Sequence, residues 1–158
     1  MPNIVLTRID NRLVHGQVAT QWCGAIGANL ILVANDEVAG NPLRQGLMNM
    51  AAPAYASMRY WTIQKTIETI HKASAKQMIF IVCETPQDVV KLVESGVPIQ
   101  KVNIGNMHMS DGKRQVAGSV AVDEADVAAF HRLQELGVEL EIRRVPTEHS
   151  ENTDKLFK

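Results

Sequence analysis

At 158 residues, the chain is long enough for one domain that buries most of the surface its unfolded form exposes. Its 46% hydrophobic and 21% charged residues exclude a disordered chain, and the 4% aromatic share leaves Leu, Ile, Val, Ala and Met to build the core. Sixteen basic against seventeen acidic residues give a net charge of -1, so there is no broad electrostatic footprint for nucleic acid, and no apolar run is long enough to span a bilayer.

In chain order, the N-terminal MPNIVLTRID lacks the charged and apolar regions of a signal peptide, so a cytoplasmic location is expected. Its β-branched run NIVLTRI (3–9) predicts a buried strand, and QVATQWCGAIG, from Gln17, has helical spacing. NLILVAN (29–35) predicts a second strand and PLRQGLMNMA, from Pro42, a helix in which Leu47, Met48 and Met50 read as core. A short strand at 58–61 leads into 62–73, where Ile63, Ile67 and Ile70 share one face and Lys65, Glu68 and Lys72 the other.

QMIFIVC (77–83) is the next strand, and Thr85 and Pro86 open a helix that Gly96 and Pro98 close. Strands follow at QKVNIG (100–105) and VAGSVAV (116–122), Asp123 caps a helix reaching Leu136, and VELEIRRV (138–145) returns as a strand. The polar tail, 146–158, either frays or folds back as a short helix. Such alternation predicts a single-domain α/β fold, a mostly parallel open twisted sheet with helices on both faces, with antiparallel pairing left open for the last one or two strands. Cys23 and Cys83 lie far apart without C-x-x-C spacing and read as small buried hydrophobes.

Ligands of such sheets sit outside the carboxyl ends of strands, so the loop after the first strand is the first place to look. It reads Arg8-Ile9-Asp10-Asn11-Arg12-Leu13-Val14-His15-Gly16-Gln17. An imidazole keeps a free lone pair at neutral pH and can accept phosphate, while planar guanidiniums at Arg12 and Arg8 match the oxygens of a phosphoryl group in transit. Gly16 permits close backbone approach, the amides near Gln17 offer donors to an anion, and Asp10 could orient His15 or an arginine. Taken singly, a loop histidine is usually polar surface and an Arg-Asp pair usually a modest salt bridge; clustering at the strand's carboxyl end raises the weight of an anion-handling site without outweighing that ordinary reading. His108 could border the same crevice, although Asp111-Gly112 favours a surface turn there. His71 and His131 fall on helices and His149 in the tail. Neither H-E-x-x-H nor G-x-x-x-x-G-K-[ST] occurs, so no zinc hydrolase or P-loop ATPase is indicated.

The run R-I-D-N-R-L-V-H-G-Q-V-A-T-Q-W (8–22) resembles the signature of the IIB component of mannose/fructose/sorbose phosphotransferase systems, in which the histidine before Gly-Gln is phosphorylated. The similarity continues through Asn35-Asp36, Met50-Ala51-Ala52-Pro53, Val102-Asn103-Ile104-Gly105 and Val145-Pro146, which implies that residues 1–158 are one IIB domain. The resemblance implies that His15 takes phosphate at Nδ1 from a IIA phosphohistidine protein, without cofactor or metal. His15 then passes it to a sugar held by the membrane proteins IIC and IID. Arg12 would stabilise the transferring group, with Arg8, Asp10, Gly16 and Gln17 supporting. It leans towards an N-acetylated amino sugar such as N-acetylgalactosamine among the hexoses served, and it admits a homodimer. Asn106 stands where a second glycine is expected. A non-catalytic anion- or nucleotide-binding regulatory domain and a metal-independent phosphatase are the alternatives.

Overall fold

The computed structural model describes residues 2–158. Six strands, β1 (Asn3–Asp10), β2 (Leu30–Ala34), β3 (Ser57–Trp61), β4 (Met78–Cys83), β5 (Lys101–Asn106) and β8 (Glu139–Ile142), form one sheet in the order β3-β2-β4-β1-β5-β8. All its pairings are parallel. The fold is thus a single-domain α/β open sheet, as the alternation predicts. Within the main sheet the antiparallel pairing left open for the last strand does not occur, because the intervening helix carries the chain through a full crossover before β8; an isolated antiparallel bridge joins Ile142 to Glu151.

The strand period of two divides the core. In β2, Leu30, Leu32 and Ala34 join Ile79 and Ile81 of β4 beneath α4 (Ile63–Thr69), α5 (Pro86–Glu94) and α6 (Glu124–Glu135). Ile31 and Val33 instead join Phe80 and Val82 beneath α1 (Val18–Ile26), α2 (Asp36–Ala39) and α3 (Pro42–Ala51). Side-chain caps start five helices: Asn35, Asn41, Thr62, Thr85 and Asp123 each accept a backbone N–H, and Asp123 with Asp126 completes a capping box. The helix opened by Thr62 tightens into a 3-10 turn at Ile70–Lys72, which holds His71.

Two sequence expectations are corrected. Residues 116–122 are a hairpin rather than one strand: β6 (Arg114–Ala117) and β7 (Val120–Val122) pair antiparallel outside the main sheet, because Gly118 and Ser119 supply a turn. On α3 only Met48 is core; Leu47 and Met50 are exposed, the latter by 84%, since together with Leu43 they occupy the side of the helix turned from the sheet. Both cysteines are buried and unpaired. Burial raises the Cys23 thiol to about 11 and pushes Cys83 up further, so neither is a thiolate at neutral pH. The chain closes in a 3-10 turn, Thr153–Phe157, anchored by buried Leu156, by Arg114 donating to the carbonyls of Lys155 and Leu156, and by Phe157 against the His131 ring.

Strand order also creates the site. From β1 the chain crosses to β2 on one side, whereas from β4, next to β1, it crosses to β5 on the other. The loops leaving β1 and β4 therefore diverge, and a crevice opens at their carboxyl ends.

Candidate active site

Strand β1 continues to Asp10, so Arg8 and Asp10 belong to the sheet rather than to the loop. The turn that follows is tight. Leu13 donates its amide to the Asp10 carbonyl and adopts φ +61°, a left-handed conformation that costs a side-chain-bearing residue about 1–2 kcal/mol. Burial of the Leu13 and Val14 side chains beside Val38 holds it. Gly16, at φ +51°, turns the chain into α1; a Cβ there would meet nothing, so glycine is favoured by the backbone angle and not by space. Gln17 occupies the N-cap position of α1 without a side-chain cap, and no acidic residue stands in that helix's first turn. No side chain of the cap or first turn therefore occupies its leading amides.

The His15 ring is partly exposed, and its Nε2 lies 2.9 Å from Asp10 Oδ2. Asp10, fully buried, also takes the Arg12 amide on Oδ1 at 2.9 Å and the Arg8 Nη2 on Oδ2 at 3.2 Å. Burial by itself would push the Asp10 carboxyl up; the His15 hydrogen bond, the Arg8 charge and the Arg12 amide outweigh it and hold the carboxyl below its ordinary range. With Nε2 engaged as donor to a carboxylate, Nδ1 is the ring nitrogen that keeps its lone pair.

The two arginines separate. Arg12 is exposed, and among the described residues its guanidinium has no hydrogen-bonding or ionic partner. Arg8 is 2% exposed and lies beneath the loop, where Nη1 donates to Asn103 Oδ1 at 2.6 Å and to the Arg143 carbonyl at 3.3 Å. The expectation that Arg8 grips an incoming phosphoryl group is therefore corrected to a supporting role: it is buried and its Nη1 and Nη2 are engaged inside the fold, while its buried Nε has no hydrogen-bonding partner among the described residues. Desolvation lowers the Arg8 guanidinium from its ordinary value, with Asp10 and Glu141 acting against that loss. Trp22, buried on α1, lies 5.6 Å from the Arg8 guanidinium and donates Nε1–H to the Arg144 carbonyl.

Asn11 joins three loops: its amide donates to the Asn106 carbonyl, its Nδ2 donates to the Glu84 carbonyl at 3.4 Å, and its Oδ1 accepts the His108 amide. The segment carrying exposed His108 thus borders the same crevice. Asn106 departs from the expected glycine without consequence for this contact, because it contributes a main-chain oxygen. Sequence reasoning assigned no role to Asn11, Asn103 or Glu141. A legible signal existed for Asn103, a carboxamide set between Val102 and Ile104 in the buried part of its strand.

A histidine held by a buried carboxylate at the mouth of a parallel α/β sheet, beside a free guanidinium and a helix N-terminus, is an arrangement suited to an anion such as a phosphoryl group. The model of the PTS system sorbose subfamily IIB component family matches residues 4–158. The chain is 53% identical over 157 residues to N-acetylgalactosamine-specific phosphotransferase enzyme IIB component 2 of Escherichia coli (strain K12), covering 99% of this chain and 100% of the relative. The crystal structure of N-acetylgalactosamine-specific IIB component 1 from Escherichia coli superposes with a TM-score of 0.92 at 48% identity, covering 95% of this chain and 99% of that one. The IIBSor domain of the sorbose permease from Klebsiella pneumoniae gives 0.92 at 36% identity, covering 98% and 96%. The chain belongs to the sorbose subfamily of IIB components of the sugar phosphotransferase system. As such it is a phosphoryl carrier working between a IIA protein and IIC/IID proteins.

Proposed function

We propose that His15 is the phosphoryl acceptor and Nδ1 the reacting atom. The observation that carries this is the 2.9 Å contact between Nε2 and Asp10, which fixes the proton on Nε2 and leaves the Nδ1 electron pair free. That pair attacks the phosphorus of the IIA phosphohistidine; the P–N bond on IIA breaks and its electrons return to the IIA ring. No proton need move, because the Nε2 proton stays on the bond to Asp10. In the loose transition state, charge spreads over three oxygens, and Arg12, unpaired and three residues before His15, can follow them with two parallel donors. The first amides of α1, with Gly16 and Gln17, complete the anion's surroundings.

In the second half-reaction, a hydroxyl oxygen of a sugar held by IIC/IID attacks the same phosphorus, the P–Nδ1 bond breaks with its electrons returning to the His15 ring, and the hydroxyl proton passes to a base of the membrane proteins or to water. N-acetylgalactosamine is the proposed sugar, supported by the specificities named for the relatives at 53% and 48% identity. All 158 residues act as one IIB domain at the cytoplasmic side of the membrane; no helix among the described residues is long and apolar enough to cross it.

Incubation with phospho-IIA tests the reading. The wild type is expected to gain an acid-labile phosphate with the ³¹P signal of Nδ1-phosphohistidine, in the presence of EDTA as in its absence. His15→Ala, folded by circular dichroism, is expected to gain none. Vesicles holding the cognate IIC/IID proteins should then draw the phosphate onto N-acetylgalactosamine ahead of mannose or sorbose. Phosphate on His15→Ala, or an Nε2-phosphate on the wild type, would overturn the assignment.

A further inference from the structure

Strands β1, β5 and β8 are neighbours, and one register row crosses all three: Arg8 is opposite Asn103, and Asn103 is opposite Glu141. In a parallel sheet such a row places its side chains on the same face. Here the row is continuously hydrogen-bonded. Asn103 accepts Arg8 Nη1 at 2.6 Å and donates Nδ2 to Glu141 Oε2 at 3.0 Å and to the Arg143 carbonyl at 3.0 Å. Arg8, Asn103 and Glu141 are all buried.

Gly105, two residues beyond Asn103, is where the guanidinium lies. A Cβ built there would stand 2.0 Å from Arg8 Cζ, 2.2 Å from Nη1 and 2.3 Å from Nη2. Such distances are impossible, so a side chain at 105 and the observed Arg8 exclude each other. The Gly105 main chain cannot readily yield: Ile104 pairs with β1 and β8, and the Gly105 carbonyl accepts Ser119 Oγ at 2.7 Å.

We propose that Asn103 and Gly105, backed by Glu141, are positioning residues for phosphoryl transfer: they form a cradle that holds the Arg8 guanidinium against Asp10 and, through Asp10, fix the His15 ring with Nδ1 free. The cradle rests on the reading of His15 as acceptor. Its effect is geometric. Asp10 Oδ2 is shared between Arg8 and His15, so a guanidinium displaced from Gly105 withdraws one of the partners that aim the carboxylate. Asp10 then rotates or loses its charge, and the ring is free to change tautomer or turn. None of the three cradle residues reaches the reacting atoms.

The test follows the His15 ring nitrogens by ¹⁵N NMR and transfer from phospho-IIA by rapid quench. In Gly105→Ala, the pattern of a ring protonated on Nε2 is expected to give way to a mixture of tautomers. Maximal transfer should fall about tenfold to a hundredfold while the KM for IIA holds, because the misplacement is internal and the docking surface is unchanged. Asn103→Ala should show the same change in smaller degree, and it alone decides if Gly105→Ala does not fold. Adding Gly105→Ala to Arg8→Met should cost nothing further, since the space a Cβ needs is then vacant. A wild-type ring pattern in Gly105→Ala and Asn103→Ala, or a full additional loss in the double variant, would sink the cradle. The ring pattern is read on unphosphorylated protein: a shifted tautomer together with phosphate on His15→Ala would leave the cradle standing and remove only the acceptor reading.

Discussion

Arg8 and Arg12 stand four residues apart in one segment and carry the same charge, yet they occupy opposite environments. The strand half of the segment, Arg8 to Asp10, is sealed in the fold and tied to β5 and to Arg143 just after β8. The loop half, from Arg12 to Gln17, presents an unpaired guanidinium, a partly exposed imidazole and free amides. The lesson is a division of work. A carrier that meets two partners in turn needs an open reacting group, while transfer needs that group aimed. Under the proposed assignment of His15, the aiming groups Arg8 and Asp10 lie below the surface, out of reach of a docking protein.

The largest expected effect that would break this comparison is on stability. Arg8→Leu leaves Asp10 buried with one cationic partner fewer and should cost about 3–5 kcal/mol, as breaking a buried pair does. Arg12→Leu should stay within about 0.5 kcal/mol, as exposed substitutions do. Urea unfolding of the two variants measures both, and equal losses would show that the two halves are not separated as described.

Next comes the rate. Arg12→Lys keeps the charge and loses the planar fork, so transfer from phospho-IIA should slow by about ten- to a thousandfold, the range for loss of one aimed donor. Rapid-quench kinetics at the wild-type rate would remove Arg12 from the transition state.

The smallest effect sharpens the comparison through pH. The Asp10 carboxyl is held below its unfolded value, so its contribution to stability is present above about pH 4 and is lost as the pH falls through its folded value. The stability gap between wild type and Asp10→Asn should therefore shrink as the pH falls below about 4. A gap that fails to shrink below about pH 4 would mean that the carboxylate is not the form stabilised by His15 and Arg8.

Much of this organisation was legible in the residues themselves. Alternating apolar runs marked the strands, and Thr85 and Asp123 marked helix starts because capping is a local contact between a side chain and amides two or three residues on. The clustering of Arg8, Asp10, Arg12 and His15 was visible for the same reason. The turn at Gly118 and Ser119 was missed because VAGSVAV keeps strand composition on both sides of it. Leu47 and Met50 misled because an apolar residue on a helix does not say which side faces the sheet.

By itself, then, the sequence determined the α/β alternation, the position of the His15 loop after the first strand and the family to which the chain belongs, all matters of short-range pattern. Only the tertiary structure decided that Arg8 turns inward while Arg12 stays free. That choice depends on an asparagine 95 residues away, a carbonyl 135 residues away and the absent side chain of Gly105. Parallel strands acquire such neighbours through crossovers, so the register that brings Arg8, Asn103 and Glu141 into one row exists only once the sheet has formed.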